Sequence, residues 1–252
     1  FPYTTLFRSD PEYGNKSIRK ALAYGIDRGS FEGSVSEDLS AAYGIVPPGV
    51  SLNGERYRDI VKDADVYKDA DGTPVKYDPD LAVKYYRDGM EQLGLKSLNN
   101  IKLLVQKDLM DSEYLHLVTQ NWQTLFGFYI GIEEVSAEEF SSRIESGDYT
   151  LAFYPLSGDR NSPMAFEERF SSAMNDFGYK NSDADKVISD VMESSMSPDE
   201  LAAGETAILE NFLFIPVFYK SEYEIMGSGN HDIIYDPFTK QLFFRYAKYY
   251  EE

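Results

Sequence analysis

The stretch from Ile101 to Leu156, IKLLVQKDLMDSEYLHLVTQNWQTLFGFYIGIEEVSAEEFSSRIESGDYTLAFYPL, decides the fold. Ile101 to Val105 is a short apolar run that reads as a strand. Asp111 to Phe126 reads as a helix, because Leu115, Val118, Trp122 and Leu125 recur at steps of three and four. Phe128 to Val135 reads as a second strand. Ser136-Ala137-Glu138-Glu139 is a capping box that starts a helix running through Phe140 and Ile144. Leu151 to Leu156 reads as a third strand. Strands that alternate with helices build a parallel sheet with right-handed crossovers, so the class is α/β. In open sheets of this kind ligands bind beyond the carboxyl ends of the strands.

Outward from this core, Lys16 to Arg28 reads as a helix with Ile18, Leu22 and Ile26 in one stripe and Ser17 or Asn15 as its cap. The adjacent prolines of Gly44-Ile45-Val46-Pro47-Pro48-Gly49 fix an extended, turn-forming backbone. Asp63 to Gly72 is acidic, but Tyr67 and Lys68 stand where a calcium loop needs a ligand and a glycine, which favours a solvated acidic loop. Asp78 caps a helix opened by Pro79 and stopped by Gly94. Two further helices are predicted near Ala184 to Glu193 and Asp199 to Asn211, the second behind a capping box at Ser197. Phe212 to Tyr219 reads as a buried strand broken by Pro216, and Leu242 to Tyr249 as a last strand. At the other end, Phe1 to Ser9 (FPYTTLFRS) matches the in-frame translation of a common sequencing adapter. It is set aside from fold reasoning, which implies a chain truncated upstream.

The 252 residues carry a net charge of −19, so a phosphate backbone would be repelled and a nucleic-acid partner is not expected. No run reaches membrane-spanning length. With no cysteine, disulfides, thiolate metal sites and cysteine nucleophiles are excluded. The two histidines, His116 and His231, lie far apart, so no transition-metal site is expected. There is no nucleophile elbow, no phosphate-binding loop and no dinucleotide fingerprint. Adjacent carboxylates such as Glu133-Glu134 and Glu167-Glu168 do not define an acid–base pair. No catalytic residue and no cofactor is assigned.

What stands out is Tyr154-Pro155-Leu156-Ser157-Gly158-Asp159-Arg160, which follows the third strand. Asp159 sits where that strand passes into a loop. Its carboxylate can accept a charge-assisted hydrogen bond from a ligand ammonium, or it can cap a turn or the next helix. Spacing alone leaves both open and favours the cap.

These residues together resemble the large peptide- and nickel-type solute-binding proteins of ABC importers. The resemblance rests on Ile18 to Arg28, on the Gly44 to Gly49 turn, on Tyr77-Asp78-Pro79-Asp80-Leu81-Ala82, and on Gln120 to Gln123 with Leu125 to Ile132. It continues through Asp148-Tyr149, Gly158-Asp159, Asn175 to Asn181, Ile215-Pro216-Val217 and Asp236-Pro237. It implies a two-lobed clamshell, here truncated to mainly the second lobe, residues 10 to about 212. Residues 213 to 252 would return to a first lobe that is otherwise missing, so that Ile215 to Tyr219 would lack sheet partners.

The resemblance also implies an extracytoplasmic, non-enzymatic monomer, periplasmic or lipid-anchored, that captures short peptides and delivers them to the membrane subunits of an ABC importer. An extended peptide would pair its backbone with Leu156, Ser157 and Gly158, and its ammonium would meet Asp159. Here Leu156 and Arg160 replace frequent aromatics, and Pro155 lacks a donor. Oligosaccharide or another solute, stacked on Tyr154 or Phe153, is the alternative within the class. A secreted hydrolase is the alternative outside it.

Overall fold

The computed structural model describes residues 2–7, 14–31, 38–98, 101–107, 109, 112–178, 180–221, 227–236 and 238–250. Strand β1 (Pro2–Phe7) precedes helix α1 (Lys16–Tyr24), whose cap is Asn15: its side chain accepts from the Ile18 N–H. A 3-10 turn over Arg28–Phe31 leads to β2 (Leu39–Ala41). A small hairpin, β3 (Ser51–Leu52) with β4 (Glu55–Arg56), is followed by two single-turn helices, α2 (Tyr57–Ile60) and α3 (Asp63–Val66). Helix α4 (Pro79–Leu93) starts on the Asp78 cap and stops at Gly94, at φ 66°.

The decisive stretch folds as β5 (Ile101–Gln106), α5 (Ser112–Phe126), β6 (Ile130–Val135), α6 (Ala137–Ser146) and β7 (Leu151–Pro155). Then come α7 (Met164–Glu167), α8 (Ser182–Glu193) and α9 (Pro198–Leu209), the last with a complete Ser197/Glu200 capping box. Strand β8 (Phe214–Lys220) leads to four short strands near the surface, β9 (Asn230–His231), β10 (Ile234–Asp236), β11 (Gln241–Phe243) and β12 (Lys248–Tyr249).

Six strands form one sheet in the order β2-β8-β1-β7-β5-β6. β5 runs parallel to both β6 and β7, as the alternating pattern predicts. The other half is antiparallel, which makes the sheet mixed: β1 opposes β7 and β8, and β8 opposes β2. Residues 2–7, set aside above, therefore lie inside the fold. Their β-prone Tyr, Thr, Leu and Phe suit a strand whatever the origin of the codons.

That placement also corrects the expectation for Ile215 to Tyr219. Phe214 to Tyr219 are all buried, because β1 covers one edge of β8 and β2 the other. No break in the sheet marks the boundary expected after residue 212. Pro216 does not interrupt β8 either. The register slips between Tyr3 and Thr4, so that Val217 is passed over beside the donor-less proline. The last expected strand, 242–249, divides into β11 and β12, which belong to different two-stranded ribbons.

The three cations of the Ile18–Arg28 segment are all anchored. Arg19 donates from Nε to the Asn211 carbonyl (3.0 Å), and Lys20 pairs with Asp69, which also accepts from the Tyr85 hydroxyl (2.7 Å). Arg28, fully buried, donates from Nε and Nη2 to the Pro216 carbonyl at 2.9 and 2.7 Å. Its guanidinium lies 5.0 Å from the Tyr43 ring centroid. The turn after Arg28 is thereby fastened to the middle of the sheet.

Candidate functional site

β7 ends at Pro155, on the carboxyl side of the parallel strands, and the loop from Leu156 to Pro163 follows it. Within that loop Leu156 is buried and Ser157 is exposed. Gly158 is buried against Phe166: a Cβ there would lie 2.6 Å from the ring, so any larger residue would push the loop outward. Tyr154 is half-buried, stacked on Phe140 (6.3 Å between centroids) and edge-on to Phe177 (5.5 Å). Burial, followed by the nearby Asp176 carboxylate, raises its phenol above the ordinary tyrosine range. Phe153 points into the core against Phe218, so it presents no face for a sugar ring.

Asp159 does not cap the next helix. The residue before α7 is Pro163, and no side chain caps that helix. Instead the Asp159 side chain stands 76% exposed, and Oδ1 accepts from Arg160 Nη1 at 2.8 Å. Arg160 is held from the other side by Glu168, with Nη1 to Oε1 and Nη2 to Oε2 both at 2.8 Å. This two-point fork fixes the guanidinium plane, and the same carboxylate raises the Arg160 pKa. Glu168 is nearly buried, so it takes most of the compensation from Arg160. With two carboxylates and one guanidinium the trio carries one surplus negative charge. That surplus sits on the exposed member, Asp159. Asn161 ties the loop down, its Oδ1 accepting from the Ser51 N–H at 2.8 Å.

Sequence reading missed a second polar cluster beneath this loop. Glu205, in the middle of α9, is 0% exposed. It accepts from Arg58 at both oxygens (Nη1 to Oε2 2.9 Å) and from the Ile45 N–H at 2.6 Å. Arg58 also reaches Asp63 (3.0 Å), which accounts for one charge of the acidic 63–72 stretch, while Asp69 of the same stretch holds Lys20. At Gly44 a Cβ would run into the Arg58 guanidinium and the Glu205 carboxylate, so the turn before the two prolines needs glycine for close approach. A glutamate in the second half of a helix whose stretch from Leu201 to Leu209 is otherwise free of charge was the available signal.

Beside this cluster Glu167 is also 0% exposed, and neither carboxyl oxygen has a hydrogen-bond partner among the described residues. Burial, with Glu205 adding to it, pushes its pKa well above the usual carboxylate value. The folded state thus holds a proton that the unfolded chain releases near pH 4.5. The contribution of Glu167 to stability is therefore greatest below pH 4.5 and declines as pH climbs toward the raised native value. Glu167→Gln is expected to flatten this decline and to raise the melting temperature at neutral pH. Thermal unfolding of both proteins from pH 4 to 8 checks it; parallel curves would contradict a buried proton.

Among the described residues no group of three or more His, Asp or Glu is arranged to hold a metal, and no helix is long and apolar enough to cross a membrane. His116 lies on α5, and His231 is exposed on β9.

The loop after β7 thus lies beyond the carboxyl ends of the parallel strands, where open α/β sheets bind ligands. The chain belongs to the bacterial extracellular solute-binding proteins, family 5, whose middle region matches residues 2–178. It is 23% identical over 243 residues to the oligopeptide-binding protein OppA of Bacillus subtilis (strain 168), covering 92% of this chain and 42% of that protein. In fold it is similar to the substrate-binding domain of an oligopeptide ABC transporter from Bacillus anthracis (TM-score 0.80, 17% identity, 99% of this chain and 49% of that one). It is also similar to Listeria monocytogenes OppA bound to peptide (TM-score 0.75, 20% identity, 100% and 49%). The chain thus spans less than half the length of these relatives. The family is one of solute-binding proteins, and the Bacillus subtilis relative is named for binding oligopeptides.

Proposed function

We propose that this chain is the greater part of one lobe of a peptide-binding clamshell, with Asp159 as the anchor for a peptide ammonium. The observation that carries the reading is the Asp159–Arg160–Glu168 trio: a fixed, exposed carboxylate with one surplus negative charge, at the strand ends where such folds bind ligands. The backbone of Leu156, Ser157 and Gly158 would receive the extended peptide by strand pairing. The named relatives that bind oligopeptides support this ligand class. In the complete protein a second lobe would close over the peptide, and the closed state would be read by the membrane subunits of an ABC importer. The protein would act outside the cytoplasm as a monomer and turn nothing over. We put the return to the other lobe after Lys220, a reading supported by the pairing of β8 within this sheet.

Calorimetry of the complete protein with a bound peptide in free and N-acetylated forms tests the anchor. The free form is expected to bind more tightly by about 1.5–3 kcal/mol, the worth of a hydrogen bond to a charged group, since Asp159 keeps Arg160 when the ammonium is blocked. Equal affinities would remove Asp159 from the site.

A further inference from the structure

We infer that Glu167 is a proton-dependent positioning residue for the anchor loop: protonated, it lets α7 lie on the core and hold Glu168 against Arg160; ionised, it draws that clamp away. The inference rests on the reading of Asp159 as the ligand anchor and adds a control on it by pH.

The geometry starts from α7, a single turn with no side-chain cap, which is held in place by what it packs on. This turn touches the anchor loop at two points. Phe166 is the ring on which Gly158 closes, and Glu168, the next residue after the turn, grips Arg160 through two hydrogen bonds of 2.8 Å. On its inner side Glu167 faces α9, where a Cβ on Gly204 would collide with Oε2. The carboxyl therefore occupies a slot that only glycine at 204 leaves open, and it is 0% exposed there.

That slot holds no spare counter-charge. The titratable groups facing Glu167 are Glu205 of α9 and Tyr57 and Arg58 of α2. Glu205 is of like charge. Arg58 is already engaged at all three nitrogens, Nε by the Val46 carbonyl (2.8 Å) and both Nη atoms by Glu205. Tyr57 is kept protonated by burial first, then by the two carboxylates. Val191, the neighbour from α8 at Gly204, carries no charge. Neither Glu167 oxygen has a hydrogen-bond partner among the described residues.

A neutral carboxyl is tolerated in such a slot far better than a carboxylate. Loss of the proton to solvent therefore drives the side chain outward, together with the short turn that carries it. Glu168 moves with that turn. Arg160 is then left with Asp159 alone, one charge against one, and the surplus that would attract an ammonium is gone. The site would hold its ligand in mildly acidic surroundings and relax as the pH rises.

The 252-residue chain, with carbon and nitrogen labels in Arg and Glu, would be titrated by nuclear magnetic resonance from about pH 5 to 9, the span that buried carboxyls reach. The Glu167 carboxyl carbon is expected to titrate within this span. Over the same interval the Arg160 Nη1 and Nη2 signals, distinct while the fork prevents rotation, should merge. Glu167→Gln keeps the shape without the ionisation and should hold the two signals apart throughout. Glu167→Met is the second neutral variant, and Glu168→Ala should show merged signals at every pH. In the complete protein, the affinity for tri-alanine should fall between about pH 6 and 8 by about fivefold more in the wild type than in Glu167→Gln, the upper end of what an exposed ion pair contributes. This comparison cancels the titration of the peptide's own amine.

A Glu167 carboxyl that titrates outside the span, Arg160 signals that ignore its titration, or the same merging in both neutral variants overturns the coupling. Equal pH dependence of affinity in the two proteins, with N-acetylated tri-alanine bound weakly, overturns it as well. The acetylated peptide also separates the two readings. If it binds as tightly as the free form while the Arg160 signals follow Glu167, the coupling stands and the anchor falls. If only the free form binds tightly and the signals do not move, the anchor stands and the coupling falls.

Discussion

Glu205→Leu is expected to cost about 3–5 kcal/mol of unfolding free energy, because it removes one partner of a fully buried ion pair. Arg58 would lose both Glu205 oxygens, and the Ile45 N–H would lose its acceptor at 2.6 Å. Asp63 remains against Arg58 Nε at 3.0 Å, but it lies nearer the surface and cannot replace a two-point fork. The double variant Arg58→Met/Glu205→Leu should be less damaging than Glu205→Leu alone, since it leaves no unpaired guanidinium buried and Asp63, the other partner of Arg58, lies nearer the surface. Urea unfolding of the wild type and three variants completes the cycle; additive losses would mean that the two side chains act independently. The exposed Lys248–Asp232 pair, also at 3.0 Å, sets the contrast. Its removal should fall within about 0–1 kcal/mol, because solvent screens it.

Trp122→Ala is expected to be comparably severe, about 3–5 kcal/mol. Trp122 is 0% exposed on α5, and its indole N–H donates to the Leu22 carbonyl at 2.8 Å. Truncation opens a cavity beside α1 and leaves a helix carbonyl unpaired. Trp122→Phe restores most of the volume but not the donor, so it should recover more than half of the loss. A Phe variant as unstable as the Ala variant would assign the effect to the hydrogen bond and not to packing. The denaturation midpoint is the readout, with the slope unchanged.

The elements that sequence made legible are those written in local pattern. The stripe Leu115, Val118 and Trp122 is buried on α5, and Asn15, Asp78 and Ser197 cap the helices that follow them, because periodicity and caps need only neighbours within a turn or two. Sheet position is different. Periodicity marks β8 as apolar and extended, but nothing in 212–219 says which strands flank it, and both partners come from the first 41 residues.

The candidate site divides the same way. Asp159 could be picked out at the end of β7, yet its arginine clamp depends on Glu168, which reads in sequence only as one of two adjacent acids. Glu205 and Arg58 stand 147 residues apart, so no spacing rule could have joined them. The segment 242–249 reads as one strand because its aromatics carry no information about where a ribbon turns back.

The position of β1 has a kinetic consequence. It is the single strand joining the β7-β5-β6 half of the sheet to the β8-β2 half, and it precedes both of its partners in the chain. Its partners lie at residues 151–155 and 214–219, so the contacts that unite the sheet are among the most distant in the chain. High contact order of this kind slows folding, because the entropy of a long loop is lost before its contacts form. During synthesis the helices and β5 to β7 can assemble as they emerge. The other half of the sheet must wait until Lys220 has left the ribosome, and until then one edge of β1 stays open to any other extended segment nearby.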